Sequence, residues 1–227
     1  MPVLELTAAA ALFDMDGTLV DSTAVVEAIW RDFCREHNVD EAVLVPWSHG
    51  RRTPDTVRHF LPKAPDDEVT AIVADLESRE QDTMTGIVEV PGARALLGSL
   101  DLPWAVVTSA PRDLAVRRMV VAGLRVPEVL VPADEIEHGK PHPDGYRTAA
   151  DLLGVKPVDC VAFEDAEPGV RSALASGARV VVVGDLDSPV TAGLDRVFDL
   201  TALRLRRVAT GRPDDPWPGR RIDTGVS

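Results

Sequence analysis

The chain has 227 residues, 45% of them hydrophobic and 27% charged, with a formal net charge of −13. That is an ordinary globular composition, long enough for a core domain plus a smaller insert, and its acidity argues against nucleic acid or an anionic membrane as a partner. No apolar run reaches the length of a membrane span and no signal-type segment opens the sequence, so a cytoplasmic protein is expected.

Residues 9–14 read as a buried, parallel-type strand that delivers Asp14 and Asp16 into a turn at Gly17. Residues two apart in an extended chain point the same way, so both carboxylates can face one metal ion or one cluster of substrate oxygens. Two like charges this close call for a cation, and hard carboxylate oxygens suit Mg²⁺. A pair of solvated turn carboxylates after an edge strand would look the same in isolation, so the rest of the chain decides.

From Ser22, Val25, Val26, Ile29, Trp30 and Phe33 predict a helix to about His37, with Ser22 or Thr23 as its cap. A second helix is expected from Pro54, with Thr53 in the cap position, and a third from about Pro65 to Met84. This mostly helical stretch reads as an insert. Val88 to Gly92 mark the return, and a short helix follows over residues 93–100. Strands at Trp104–Thr108, Val129–Val131, Cys160–Phe163 and Val180–Val183 then alternate with helices at Arg112–Ala122, Asp144–Leu153 and Ala166–Ser176. Such alternation predicts an α/β fold, a parallel sheet covered by helices on both faces, with its ligand site at the carboxyl ends of the strands. The polar residues there are Asp14 and Asp16, then Thr108 and Ser109, then Glu164 and Asp165. Loop polarity explains any one of these, but three apolar strands ending this way point to a site.

Lys140 stands out separately. Among 24 basic residues only Lys63, Lys140 and Lys156 are lysines, so a compact ammonium between Gly139 and Pro141 marks a place where a planar guanidinium does not fit. Cys34 and Cys160 have no metal-like spacing and are expected as reduced thiols.

Asp14-Met15-Asp16-Gly17-Thr18, Thr108-Ser109, Lys140 in Gly139-Lys140-Pro141-His142-Pro143-Asp144, and Phe163-Glu164-Asp165-Ala166 with Gly169 together resemble the four ordered motifs of the haloacid dehalogenase superfamily, over about residues 9–200. The helical insert resembles the β-phosphoglucomutase-like subgroup. Residues 48–55, 90–93 and 103–109 and the Gly-Lys-Pro-His-Pro run are similar to its sugar-phosphate, glycerol-phosphate and 2-deoxyglucose-6-phosphate phosphatases. The resemblance implies a Rossmann-like parallel core over residues 1–20 and 88–210, with a small inserted helical cap of the C1 type over 21–87. It further implies Mg²⁺-dependent hydrolysis of a small sugar or polyol phosphate through an aspartyl phosphate. Asp14 would be the nucleophile and Asp16 the general acid and base. Thr108, Ser109 and Lys140 would bind phosphate, and Asp14, the Asp16 carbonyl and Asp165 would hold the metal, with Glu164 either a further ligand or directly behind them.

Other reactions of the superfamily are tested by residue. A dehalogenase needs no acid at position 16, and the phosphonate hydrolases need a cap lysine, whereas none occurs before Lys63. The mutases carry a cap histidine where this chain has Val26, and their distal-phosphate arginine aligns near Thr53. A phosphosugar mutase is the alternative, with a non-catalytic phosphosugar-binding module behind it. His49, Arg51, Arg52 and Thr53 are the candidates for substrate recognition, although an exposed basic turn would read alike; Glu27 and Trp30 could also face the substrate. His37, His59 and His138 have no evident partner, and His142 reads as a loop residue. Leu200–Val208 is expected as a final amphipathic helix, and residues 211–227 as a tail that Trp217 could anchor either to the body or to a second subunit. A monomer or weak homodimer is expected.

Overall fold

The structure, a computed structural model, describes residues 3–208. The chain opens with β1 (Leu4–Ala8), β2 (Ala10–Phe13) and, past a tight turn, the two-residue β3 (Val20–Asp21). Four helices follow: α1 (Thr23–His37), α2 (Glu41–Ser48), α3 (Thr53–Phe60) and α4 (Asp66–Asp82). The chain returns through β4 (Val88–Glu89), antiparallel to β3 with Asp21 opposite Val88. Then come α5 (Ala93–Ser99), β5 (Trp104–Val107), α6 (Arg112–Val121), β6 (Val129–Val131) and α7 (Asp144–Leu152). The chain finishes with β7 (Cys160–Glu164), α8 (Glu167–Ser176), β8 (Arg179–Val183), β9 (Asp195–Val197) and β10 (Leu203–Arg207).

Six strands form one sheet in the order β6-β5-β2-β7-β8-β9, parallel at each pairing. β2 is wholly buried, because its alternate side chains fill two cores. Phe13 and Phe163 stack with ring centroids 4.8 Å apart on one face, while Leu12, Ala105, Ala162 and Val180 pack under α7 and α8 on the other. The order reverses between β6 and β7, so the ends of β2 and β7 flank the switch point where doubly wound sheets hold their ligands. Asp14 and Glu164-Asp165 occupy those two ends.

α1 buries Val25, Ile29, Trp30, Phe33 and Cys34 on one stripe and stops at Asn38, which takes a left-handed conformation. Ser22 holds the cap position, yet its hydroxyl makes no cap bond; it donates to Asp16 instead. Arg52 precedes α3, making Thr53 its first residue rather than its cap. α2 was not anticipated from the sequence. Its apolar residues lack a clear helical period and Pro46 lies inside it, but Asp40 caps it by accepting from the Ala42 amide.

The expected helix over Leu200–Val208 is a correction. That segment is a 3₁₀ turn followed by β10, which pairs parallel with β1. Leu203 and Leu205 are buried while Arg204, Arg206 and Arg207 are exposed, a period of two that fits a strand with one covered face. Both cysteines are free and buried. Among the described residues no helix is long and apolar enough to cross a membrane. The expected tail, with Trp217, lies outside the described residues.

Candidate active site

Asp14 follows β2 directly, its amide donating to the Phe163 carbonyl of the neighbouring strand, so its position is set by the sheet. Its carboxylate is buried and paired with the equally buried Lys140. Lys140 also donates to Glu164 at 2.7 Å, and Tyr146 of α7, the single tyrosine of the chain, donates to the same Glu164 oxygen at 2.5 Å. One ammonium thus spans the ends of β2 and β7.

The polypeptide makes room for these carboxylates with two glycines. Gly17 has φ +88°, and a Cβ there would lie 2.0 Å from Asp165 Oδ2; a Cβ on Gly169 would lie 2.0 Å from Glu164 Oε1. Thr18 donates to Asp165 Oδ1 at 3.0 Å.

Oxygen atoms of Asp14, Glu164 and Asp165 lie within 4.8 Å of one another. Glu164 Oε2 is buried without a hydrogen-bond partner. Three hard donors and an orphaned carboxylate oxygen fit a divalent cation of the Mg²⁺ type. Burial drives the Asp14 carboxyl well above its usual range, against the opposing pull of Lys140. Burial, assisted by Glu164, raises Asp165 to about 7. Lys140 loses stability as a cation by burial but regains more from Asp14 and Glu164, so it stays protonated.

Asp16 points elsewhere. Its Oδ1 accepts from Ser22 Oγ at 2.6 Å and from Arg118 Nη1 at 3.0 Å, so its carboxylate stands outside the acidic cluster. Arg118 of α6 is buried and donates through Nη2 to Glu80 of α4 at 2.9 Å. The sequence reading missed both residues. The signal was there: Arg118 falls four residues after Leu114 and Glu80 four after Leu76, each on the buried stripe of its helix, where a charge needs a partner.

Above the carboxylates a cleft runs between the sheet end and the inserted helices. Asp14, Asp16, Thr108, Ser109 and Asp165 line its floor; Glu27, His49, Arg51 and Thr53 line its roof. Thr108 is buried, and Ser109 donates to the Gly50 carbonyl at 2.9 Å, joining the floor to the roof. His49 Nε2 lies 3.3 Å from Glu27. Arg51 stacks its guanidinium 4.1 Å over Trp47. Arg52 is not brought to the cleft: it pairs with Asp55 and donates to the Glu137 carbonyl beside Gly139. Trp30 is both core and cleft wall. His138 and His142 each set Nδ1 against Asp144 at the head of α7, at 3.0 and 2.8 Å.

The family described as haloacid dehalogenase-like hydrolase matches residues 8–177. Hexitol phosphatase A of Escherichia coli (strain K12) is 40% identical over 191 residues, covering 82% of this chain and 88% of its own. 2-Deoxyglucose-6-phosphate phosphatase 1 of Saccharomyces cerevisiae is 37% identical over 228 residues, covering 88% and 92%. A β-phosphoglucomutase of Clostridium difficile shares the fold with a TM-score of 0.74 at 19% identity, over 86% of this chain and 92% of that one.

Proposed function

Since the chain belongs to the haloacid dehalogenase-like hydrolases and is a phosphatase, we propose that it hydrolyses small sugar or polyol phosphate monoesters through an aspartyl phosphate on Asp14. The observation that carries this reading is the buried Asp14–Lys140–Glu164 arrangement, whose Asp14 lines the floor of a cleft roofed by α1–α4. The names of the two phosphatase relatives support the substrate class.

In this mechanism an Asp14 oxygen attacks phosphorus in line with the ester oxygen. Lys140 meets the negative charge on the transferring group, and the Thr108 hydroxyl and the Ser109 amide hold its other oxygens. Asp16 gives its proton to the departing alkoxide and then takes one from the water that attacks the phosphoaspartate. Asp14, the Asp16 carbonyl and Asp165, with Glu164 beside them, would hold Mg²⁺, which would supply charge neutralisation for the phosphoryl oxygens. The inserted helices α1–α4 act as a cap over residues 21–87, excluding bulk water and choosing among alcohols through His49, Arg51 and Thr53. Val26 lines the roof where the resemblance places the mutase histidine, which supports water rather than a second sugar hydroxyl as the acceptor.

The test is phosphate release from a panel of hexitol, hexose, deoxyhexose and glycerol phosphates, with Mg²⁺ and with chelator, on the native protein and on Asp14→Asn. Metal-dependent release on a subset, lost in Asp14→Asn, is expected. Release that persists in Asp14→Asn rules out the aspartyl phosphate.

A further inference from the structure

Resting on that reading, the geometry points to Arg118 as a positioning residue that fixes the carboxylate of Asp16, with Glu80 of the inserted helices setting its grip. Arg118 offers two nitrogens to two carboxylates on opposite sides of the cleft: Nη1 to Asp16 Oδ1 and Nη2 to Glu80 Oε2. Its side chain is 3% exposed and that of Glu80 8%, against 28% for Asp16. Burying these charges is costly, and well-packed apolar side chains would stabilise the α4–α6 contact as well or better. Packing therefore gives no reason to keep them, whereas specifying one conformer of Asp16 does.

The arrangement selects a particular oxygen. Ser22 and Arg118 both donate to Oδ1 of Asp16, and among the described residues Oδ2 accepts no hydrogen bond. Oδ1 is the anchored atom, and Oδ2 is left to exchange a proton with the leaving alkoxide. Neither Ser22 nor Arg118 needs to touch the substrate. Glu80 adds a dependence on the cap. It reaches Arg118 from α4, so seating of the helices completes the fork, and displacing them leaves the guanidinium with Asp16 alone. Asp16 is then held in its working geometry when the helices cover the cleft.

The experiment compares kcat/KM for a hexitol 6-phosphate, whose alkoxide needs a proton, with that for 4-nitrophenyl phosphate, whose phenolate leaves without one. kcat/KM reports steps up to phosphorylation of Asp14, so a defect confined to the acid appears with the first ester only. Arg118→Met is expected to lower the hexitol phosphate value by roughly 10- to 100-fold, within the range of general-acid contributions, and to change the aryl phosphate value by less than about threefold. Arg118→Lys is expected to restore part of the loss, and Glu80→Gln to show the same selectivity at smaller amplitude. Asp16→Asn is the reference and should be the most selective of all. If Asp16→Asn is selective while folded Arg118→Lys and Glu80→Gln lower both esters equally, or neither, the positioning role is overturned. If Asp16→Asn itself depresses both esters equally, the acid assignment fails and this inference falls with it.

Discussion

Lys140 carries the charge balance at the ends of β2 and β7, since it faces two buried carboxylates and is itself buried. Removing one partner of such a group leaves the others uncompensated. Lys140→Met is expected to cost about 3–5 kcal/mol in a denaturant titration and to lower phosphate release by at least about 100-fold. Asp165 gives the pH dependence. Its folded value of about 7 lies above that of an unfolded carboxyl, so between roughly pH 4 and 7 the folded chain holds a proton that the unfolded chain has lost. Stability of the metal-free protein should therefore fall as pH rises through that window. Mg²⁺ should raise Tm more at pH 8 than at pH 5, which thermal melts with and without the ion will measure. Of these residues, Asp14 and Asp165 were legible in the sequence because each follows a short apolar run, and Lys140 because it is one of three lysines among 24 basic residues. For Arg118 the buried stripe of its helix signals that a partner is needed but not which, because its partners lie 102 and 38 residues away and only folding brings them together.

At the scale of elements, α8 must pass close to Glu164, and Gly169 allows it. Gly169→Ala places a methyl group on the Glu164 carboxylate, so Tm should fall and the Mg²⁺ concentration needed for half-maximal turnover should rise. A drop in Tm alone would mean that Glu164 relaxes without disturbing the proposed metal site. The alternating strands and helices of residues 104–183 were readable because their strands are short apolar runs and their helices carry one buried stripe. α2 and β10 were not. Pro46 and a weak period concealed the helix, and the Leu-Arg alternation of β10 has meaning only beside β1, which lies at the far end of the chain. Arg52 shows the same limit at finer grain: adjacency to Arg51 suggested a shared role, but the turn before α3 sends the two side chains to different places.

For the molecule as a whole, a net charge of −13 opposes the approach of a phosphate monoester, and the cations at the cleft act only at short range. kcat/KM should accordingly rise with monovalent salt between about 10 and 150 mM, as screening weakens the repulsion. A fall over that range would show that Arg51, Arg118 and Lys140 dominate the field met by the substrate. The β3–β4 ribbon has a different consequence. Because Asp21 lies opposite Val88, the polypeptide leaves the sheet and rejoins it at nearly the same point. Everything between those residues is thus a cassette that can be exchanged for the equivalent stretch of a relative without re-routing the strands. In a chimaera joined at the ribbon, Asp14, Asp16 and Lys140 would be inherited from one parent, and the taste for alcohols, together with the Ser22 and Glu80 contacts, from the other.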